Sequence, residues 1–357
     1  MSAALPAGLA DWLATSAEGI DLGEVPADAI LSHLAEAELP RLGVPRDFGG
    51  AGGDAMDAVD AVAAVARESL AAAFMLWGHR CYAEFLVQTT NEALRERQLP
   101  DILSGKVAGA AGLSNAMKFL AGLEPLQVTA REEGVGLRID GKLPWVTNLR
   151  PNGFHVATAA DRAEGGPTII VALSHDDPGL TRSGDLALLG MRSSDTAAVR
   201  LEGVRVPRDR ILSDNAQAWL PGVRPLFMAL QCGMAIGLAA RALDEADACT
   251  GPGRAILSGE LSGFRDRLRE IHAAIAAGLR SGAFIARPEP LFELRIALTE
   301  IVTSAVMLEL QAGGGRSYLR EPGRGFARRW REAAFIPIIT PSVVQLRSVL
   351  AAAKQTA

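Results

Sequence analysis

Residues 135–148 read Val135-Gly136-Leu137-Arg138-Ile139-Asp140-Gly141-Lys142-Leu143-Pro144-Trp145-Val146-Thr147-Asn148. Val135, Leu137 and Ile139 alternate with Gly136, Arg138 and Asp140, the period-two pattern of a strand with one buried face. Further strands are expected at Thr168 to Leu173 and around Val199 and Leu201, where Arg200 and Glu202 supply the polar alternation. Gly, Pro and Asp bound these runs, so residues 109–210 are expected to form a β domain. On both sides the period changes to that of helices. Met56, Val59, Ala63, Ala66 and Leu70 recur at steps of three and four before it. Phe264, Leu268, Ile271 and Ile275 do so after it, as do Leu294, Leu298, Ile301, Ala305, Leu308 and Ala312. The spacing predicts a three-domain α+β chain: helices over 1–108, a β-barrel or sandwich over 109–210, and a four-helix bundle over 211–357.

This order is not the βαβ rhythm of a dinucleotide-binding sheet, and no G-x-G-x-x-G or P-loop follows a strand. The glycine-rich stretch Pro45 to Gly53 precedes a helix but follows helix-like sequence, so it reads as a helix-to-helix connector rather than a phosphate cradle. The 357 residues carry 36 Lys plus Arg against 41 Asp plus Glu, a net charge of −5. Such a balance argues against a nucleic-acid partner, which needs clustered cations to neutralise phosphates. No apolar run reaches the roughly 20 residues of a membrane span, so no membrane partner is expected. No Lys or Arg precedes Arg41, which gives no cationic leader and an expected cytoplasmic location. Three cysteines are too few for a disulfide framework, and the five histidines show no i,i+3 or i,i+4 pairing, so no metal site is expected.

Five short motifs, in order along nearly the whole chain, resemble the acyl-CoA dehydrogenase family of flavoproteins. Val44 to Gly52 resembles its Pro-x-x-x-Gly-Gly-x-Gly connector, and Gly141 to Asn148 its Gly-x-Lys-x-Trp-Ile-Thr-Asn strand, with the lysine displaced by one position. Gly190 to Thr196 with Val204-Arg205-Val206-Pro207 is similar to its Gly-x-Arg-x-Ser-x-Thr strand and exit. Gln311 to Tyr318 resembles Gln-x-x-Gly-Gly-x-Gly-Tyr, and Arg328 to Ala333 resembles Arg-x-x-Arg-Asp-Ala.

The resemblance implies FAD held between the β domain and the bundle and across a subunit interface, in a homodimer or homotetramer, with a small-molecule substrate such as an acyl-CoA. A flavin needs a dry slot, an aromatic wall and hydrogen bonds at the ring edge. Trp145 and Thr147, two apart on one strand, are expected on the same face, where the resemblance gives them the ring wall and the bond near N5. Without the motifs they read as an ordinary half-buried strand pair. Ser114 falls where the family sets a hydroxyl against the flavin, and otherwise reads as a turn residue. Gln311, Gly314 and Gly315 match the adenosine end, Arg254 is the remaining candidate for the pyrophosphate, and Ser342 is a further cofactor candidate near the catalytic segment.

The family removes an α proton with a carboxylate while a β hydride leaves for flavin N5. The motif alignment puts Thr340 where that glutamate stands, and the alternative position on the first bundle helix falls near the apolar Phe227. A threonine hydroxyl cannot act as that base near neutral pH. Three readings follow. One is a dehydrogenase with its base elsewhere, Glu321 and Glu332 being the nearest acids in sequence. Another is a flavin monooxygenase of the same fold, with His79 and Thr147 as donors. The third is a non-catalytic family member. Arg320, Arg324 and Arg328, four apart, read as one helical stripe, with Arg328 and Arg331 expected to be structural.

Overall fold

The structure is a computed structural model, and it describes residues 5–249 and 253–356. Five helices open the chain: α1 (Ala7–Leu22), α2 (Ala27–Glu36), α3 (Ala55–Glu68), α4 (Leu70–Gln88) and α5 (Glu92–Leu103). The glycine-rich connector before α3 spends its amides on itself: Gly50 donates to the Pro45 carbonyl, Ala51 to Arg41 and Gly52 to Val44. It is therefore a folded connector and no phosphate cradle. Asp54 then starts α3 with a reciprocal cap, accepting from the Met56 amide at 2.8 Å while Asp57 accepts from the Asp54 amide at 2.7 Å. Ser69 ends α3 and caps α4 through the Ala72 amide. Every residue of α4 from Leu70 to Leu86 is buried, so this helix forms the centre of the N-terminal domain.

Eight strands follow: β1 (Ala108–Ala111), β2 (Val128–Glu133), β3 (Gly136–Val146), β4 (Phe154–Arg162), β5 (Ile169–Ser174), β6 (Leu180–Arg182), β7 (Ala197–Pro207) and β8 (Ile211–Ser213). The order is β6-β7-β3-β2-β4-β5-β8, with β1 beside β4, and α6 (Ser114–Leu120) lies between β1 and β2. Leu137, Ile139 and Leu143 point into the core as the alternation requires. Val135 does not belong to that face: it sits in the turn before β3 and is fully open to solvent. The sheet also runs past residue 210, because β8 hydrogen-bonds to β5 through Ile170–Ser213 and Val171–Ile211.

The C-terminal helices are α7 (Ala216–Ala248), α8 (Ser258–Ser281), α9 (Ala283–Ala286), α10 (Glu289–Gly313), α11 (Arg324–Phe335) and α12 (Val343–Thr356). The long helices α7, α8 and α10 pack on one another, with α11 and α12 against α10. Leu298, Ile301, Ala305, Leu308 and Ala312 are all buried, at about 2 kcal/mol for each large aliphatic side chain. Helix α3 lies almost in backbone contact with α7, since a Cβ on Gly237 would fall 2.1 Å from the Ala63 carbonyl oxygen. Two segments are apolar enough to span a membrane, contrary to the expectation from run length. In α7 the apolar window is 83% buried inside the protein, as in a core helix. The window in Arg324–Gln355 is 22% buried and is interrupted between α11 and α12.

Candidate active site

The end of β3 carries the first group of candidates. Its pairing with β7 shifts register between Leu143 and Val146, next to Pro144. Trp145 there is 61% exposed, whereas Thr147 is buried with its hydroxyl donating to the Ser194 carbonyl at 3.0 Å. The bulge and the end of the strand at Val146 break the period-two relation, so the two side chains do not share a face. Thr147 instead packs its methyl against α4, where a Cβ on Gly78 would stand 3.0 Å from it. The open indole of Trp145 fits a flavin's ring wall, but the Thr147 hydroxyl is committed inward. Ser114, the first residue of α6, is half-buried.

His79 is not a free donor. Its Nδ1 accepts from the Gly109 amide at 3.0 Å, leaving Nε2–H to donate to the Ile102 carbonyl at 2.7 Å. Complete burial pushes its pKa from 6.5 down to about 4, so the ring is neutral and holds α4 to α5 and β1. Asn148 is buried beside it at φ 61°, donating to the Gly109 carbonyl at 2.8 Å while its Oδ1 has no partner.

The second group surrounds Thr340, between α11 and α12. Gln231 on α7 donates to the Thr340 carbonyl at 2.9 Å. Arg295 on α10 is fully buried and donates to Gln231 Oε1, to Thr299 Oγ1 and to the Ile336 carbonyl at 3.4, 2.8 and 2.6 Å. No carboxylate pairs with it among the described residues. Ser342 serves the helix start: its amide donates to Gln345 Oε1 at 2.7 Å and its Oγ accepts from the Gln345 amide. Its hydroxyl is thus a cap and not a free cofactor contact. Phe227 takes the Trp77 Nε1–H on its carbonyl and packs edge-on to that indole at 5.1 Å. Phe74 stacks on Trp77 and meets Phe335, so aromatics fill the junction of α4, α7 and α11.

Neither neighbouring acid is poised as a base. Glu332 is fully buried, with Oε1 accepting from the Leu70 amide at 3.0 Å and Arg328 Nη1 at 2.7 Å. Burial raises its pKa, and the Arg328 guanidinium opposes that rise. Glu321 is exposed, 3.6 Å from Arg324. The other arginines of this region are structural: Arg329 makes two bonds to Glu309 at 2.8 and 2.5 Å, and Arg331 binds Asp21 and Glu18 of α1. Arg320 precedes α11 and is not on a stripe with Arg324 and Arg328. It lines an open groove of about 680 Å³ with Tyr318, Phe326 and Trp330.

The third group lies at the far end of the bundle. Arg254 Nε donates to the Ala312 carbonyl at 2.6 Å, and a Cβ on Gly314, at φ 58°, would stand 3.4 Å from Arg254 Nη2. Gln311 and Gly315 are exposed beside them, so these four candidates come together. Gly251 and Pro252, which break the expected pyrophosphate motif, lie outside the described residues. Gln231 and Arg295 were not among the expected site residues.

Residues 9–106 match the family model described as acyl-CoA dehydrogenase, N-terminal domain. The chain is 28% identical over 354 residues to a probable acyl-CoA dehydrogenase, YngJ, of Bacillus subtilis, covering 91% of this chain and 89% of that relative. Among solved structures it resembles butyryl-CoA dehydrogenase from Megasphaera elsdenii, with a TM-score of 0.79 at 18% identity, over 98% of this chain and 95% of that one. It also resembles the dibenzothiophene monooxygenase TdsC of Paenibacillus, with a TM-score of 0.78 at 17% identity, over 96% and 94%. Helical, sheet and bundle domains in this order, the five motifs and these relatives together make the chain similar to the acyl-CoA dehydrogenase family, whose N-terminal domain is matched directly over residues 9–106.

Proposed function

We propose that the chain is an FAD-dependent oxidoreductase that acts on an acyl-CoA or a related small molecule, oxidising it at CH–CH. The observation that carries this reading is the indole of Trp145, left open at the end of β3 in a fold shared with flavin enzymes. When bound, the flavin would accept the hydride. The chain's own part would be to wall the ring with Trp145, with Ser114 nearby, and to hold the adenosine end with Arg254, Gln311, Gly314 and Gly315. A homodimer or homotetramer is part of the proposal, supported by the apolar side chains of Trp330, Ile338 and Val344 on α11, α12 and the turn between them. A cytoplasmic location, supported by three free cysteines, is part of it too.

A second reading, monooxygenation, is favoured by one observation: the two positions of the family's base are Thr340 and Phe227. Oxygen transfer from a reduced flavin needs no such base. One experiment separates the readings. The purified protein is examined for a flavin spectrum and then given acyl-CoA thioesters without oxygen. Bleaching of the flavin band supports dehydrogenation. No bleaching, with oxygen-dependent product once the flavin is reduced externally, supports monooxygenation. Failure to hold flavin after reconstitution sinks both, leaving a non-catalytic family member.

A further inference from the structure

Thr340 stands where the family pattern has a carboxylate, and the charge around it is inverted as well. Two arginines border this segment, and neither pairs with a carboxylate among the described residues. Arg295 is fully buried, gives its donors to the neutral acceptors of Gln231, Thr299 and Ile336, and reaches the Thr340 carbonyl through Gln231. Arg224 on α7 lies three residues before Phe227, with its Nε buried and without a hydrogen-bond partner. Burial lowers the pKa of both guanidinium groups, the direction a cation takes when desolvation outweighs its partners. The buried Arg328 and Arg329 of α11, by contrast, each bind a carboxylate.

Arg224 also lines a space. A cavity of about 120 Å³ lies between α6, α7, α10 and α12, lined by Arg224 with Met117, Phe292, Leu346 and Pro341, the residue after Thr340. The Arg224 guanidinium lies over the Phe292 ring, 5.8 Å from its centre, a contact that braces it without using its N–H donors. The other polar walls are committed: Lys118 is paired with Glu124, and Gln345 Oε1 takes the Ser342 amide. Glu289 lines the cavity too and acts on Arg224 only beyond ion-pair distance, so it moderates the charge without filling the donors. Arg295, three residues on from Phe292 along α10, adds its uncompensated charge to the same region. Unfilled guanidinium donors beside a cavity call for an acceptor that carries negative charge. The volume sets its size, since drug-sized ligands need about 300 Å³ or more: the cavity holds a compact group and not an acyl chain.

We propose that Arg224 is the binding residue for a compact oxyanion, a carboxylate or a phosphate, carried by the substrate and seated in this cavity beside Thr340. The substrate thereby brings to this edge the negative charge that the chain itself lacks there. Its identity as a substrate group rests on the enzyme reading above; the anion site itself is measured without turnover.

Sodium acetate and sodium phosphate are titrated separately into the purified wild-type protein, with any flavin it holds, and into Arg224→Met and Arg224→Lys, with sodium chloride keeping ionic strength constant. At least one of the two anions should raise the wild-type melting temperature in a saturable way. Acetate acting assigns a carboxylate, and phosphate acting assigns a phosphoryl group. R224M should shift the half-saturation concentration at least about tenfold upward, and R224K by less, because lysine keeps the charge and loses the fork. No saturable effect on wild type overturns the proposal. An effect that R224M leaves unchanged overturns it equally, as an adventitious ion only. Arg224-dependent anion binding by a protein that holds no flavin would keep the anion site and count against the oxidoreductase reading. Flavin bleaching by a thioester, with no Arg224-dependent anion binding, would keep the enzyme and overturn the anion site.

Discussion

Gln231 donates its side-chain amide to the Thr340 carbonyl at 2.9 Å and accepts from Arg295 through the same amide's oxygen. One side chain of α7 thereby ties the segment between α11 and α12 to a buried cation of α10. Replacing it by an apolar isostere strands two polar groups at once, one on the fully buried Arg295 and one on the half-buried Thr340. Gln231→Leu should lower the unfolding free energy by about 1–3 kcal/mol, read from urea denaturation. A change below a few tenths would show that water replaces the amide.

Glu309 and Arg329 form the other buried tie, from α10 to α11, with both side chains almost fully enclosed. Removing one partner leaves the other charged in a dry site. Glu309→Ala should cost about 3–5 kcal/mol, and the double change Glu309→Leu with Arg329→Met should cost less than the single one. Equal costs for single and double variants would remove the case for an uncompensated charge.

The buried ring of His79 links stability to pH. Its folded pKa of about 4 lies below the ordinary 6.5 because burial disfavours the cation. The unfolded chain therefore binds this proton first as pH falls, and stability is lost between pH 6.5 and 4. His155, also lowered to about 4 by burial, acts in the same direction, while Asp195, raised to about 6 by burial, acts in the opposite one. Comparing His79→Gln with wild type cancels both. The wild-type curve should fall by about 3 kcal/mol more than that of the variant across this window. Parallel curves would mean that His79 titrates normally.

The helical periods and the strand alternation were legible because burial on one face writes itself into spacing. Leu298 to Ala312 and Leu137 to Leu143 were read this way, and all of these are buried. What spacing does not encode is a register shift. Trp145 and Thr147 parted because of a bulge beside Pro144, which no alternation count reveals. His79 and Ser342 show a second limit. A titratable or hydroxyl side chain in the right segment looks like a site residue until its partners are seen, and here they are backbone groups and a helix cap. Arg80 shows the reverse: its burial beside Glu84, with no hydrogen bond to its guanidinium, is a property of three dimensions that was invisible in sequence.

Trp145 separates a cofactor role from a packing role because it is already open to solvent. Trp145→Ala removes no buried core contact, so its unfolding free energy without cofactor should stay within about 0.5 kcal/mol of wild type. Flavin retention on gel filtration should nevertheless drop by about tenfold or more if the indole walls the ring. Unchanged retention would place the flavin elsewhere.

Thr340→Glu asks whether the chain lacks only a base. The residue is half-buried and its backbone is already held by Gln231, so the new side chain starts from a fixed anchor. Arg295 reaches that anchor through Gln231 and pairs with no carboxylate among the described residues, and the positive charge of its guanidinium favours an ionised acid near it. The variant should therefore carry a carboxylate able to take an α proton at neutral pH. Anaerobic bleaching of bound flavin by an acyl-CoA should accelerate by about a hundredfold over wild type, the usual scale for a positioned general base. Two controls assign the effect: Thr340→Gln should show no gain, and the gain should disappear on acidifying below the carboxylate's pKa. If Thr340→Glu retains flavin and binds the thioester without faster bleaching, the segment is not the catalytic edge. A different substrate, or a base held elsewhere in the chain, is then indicated.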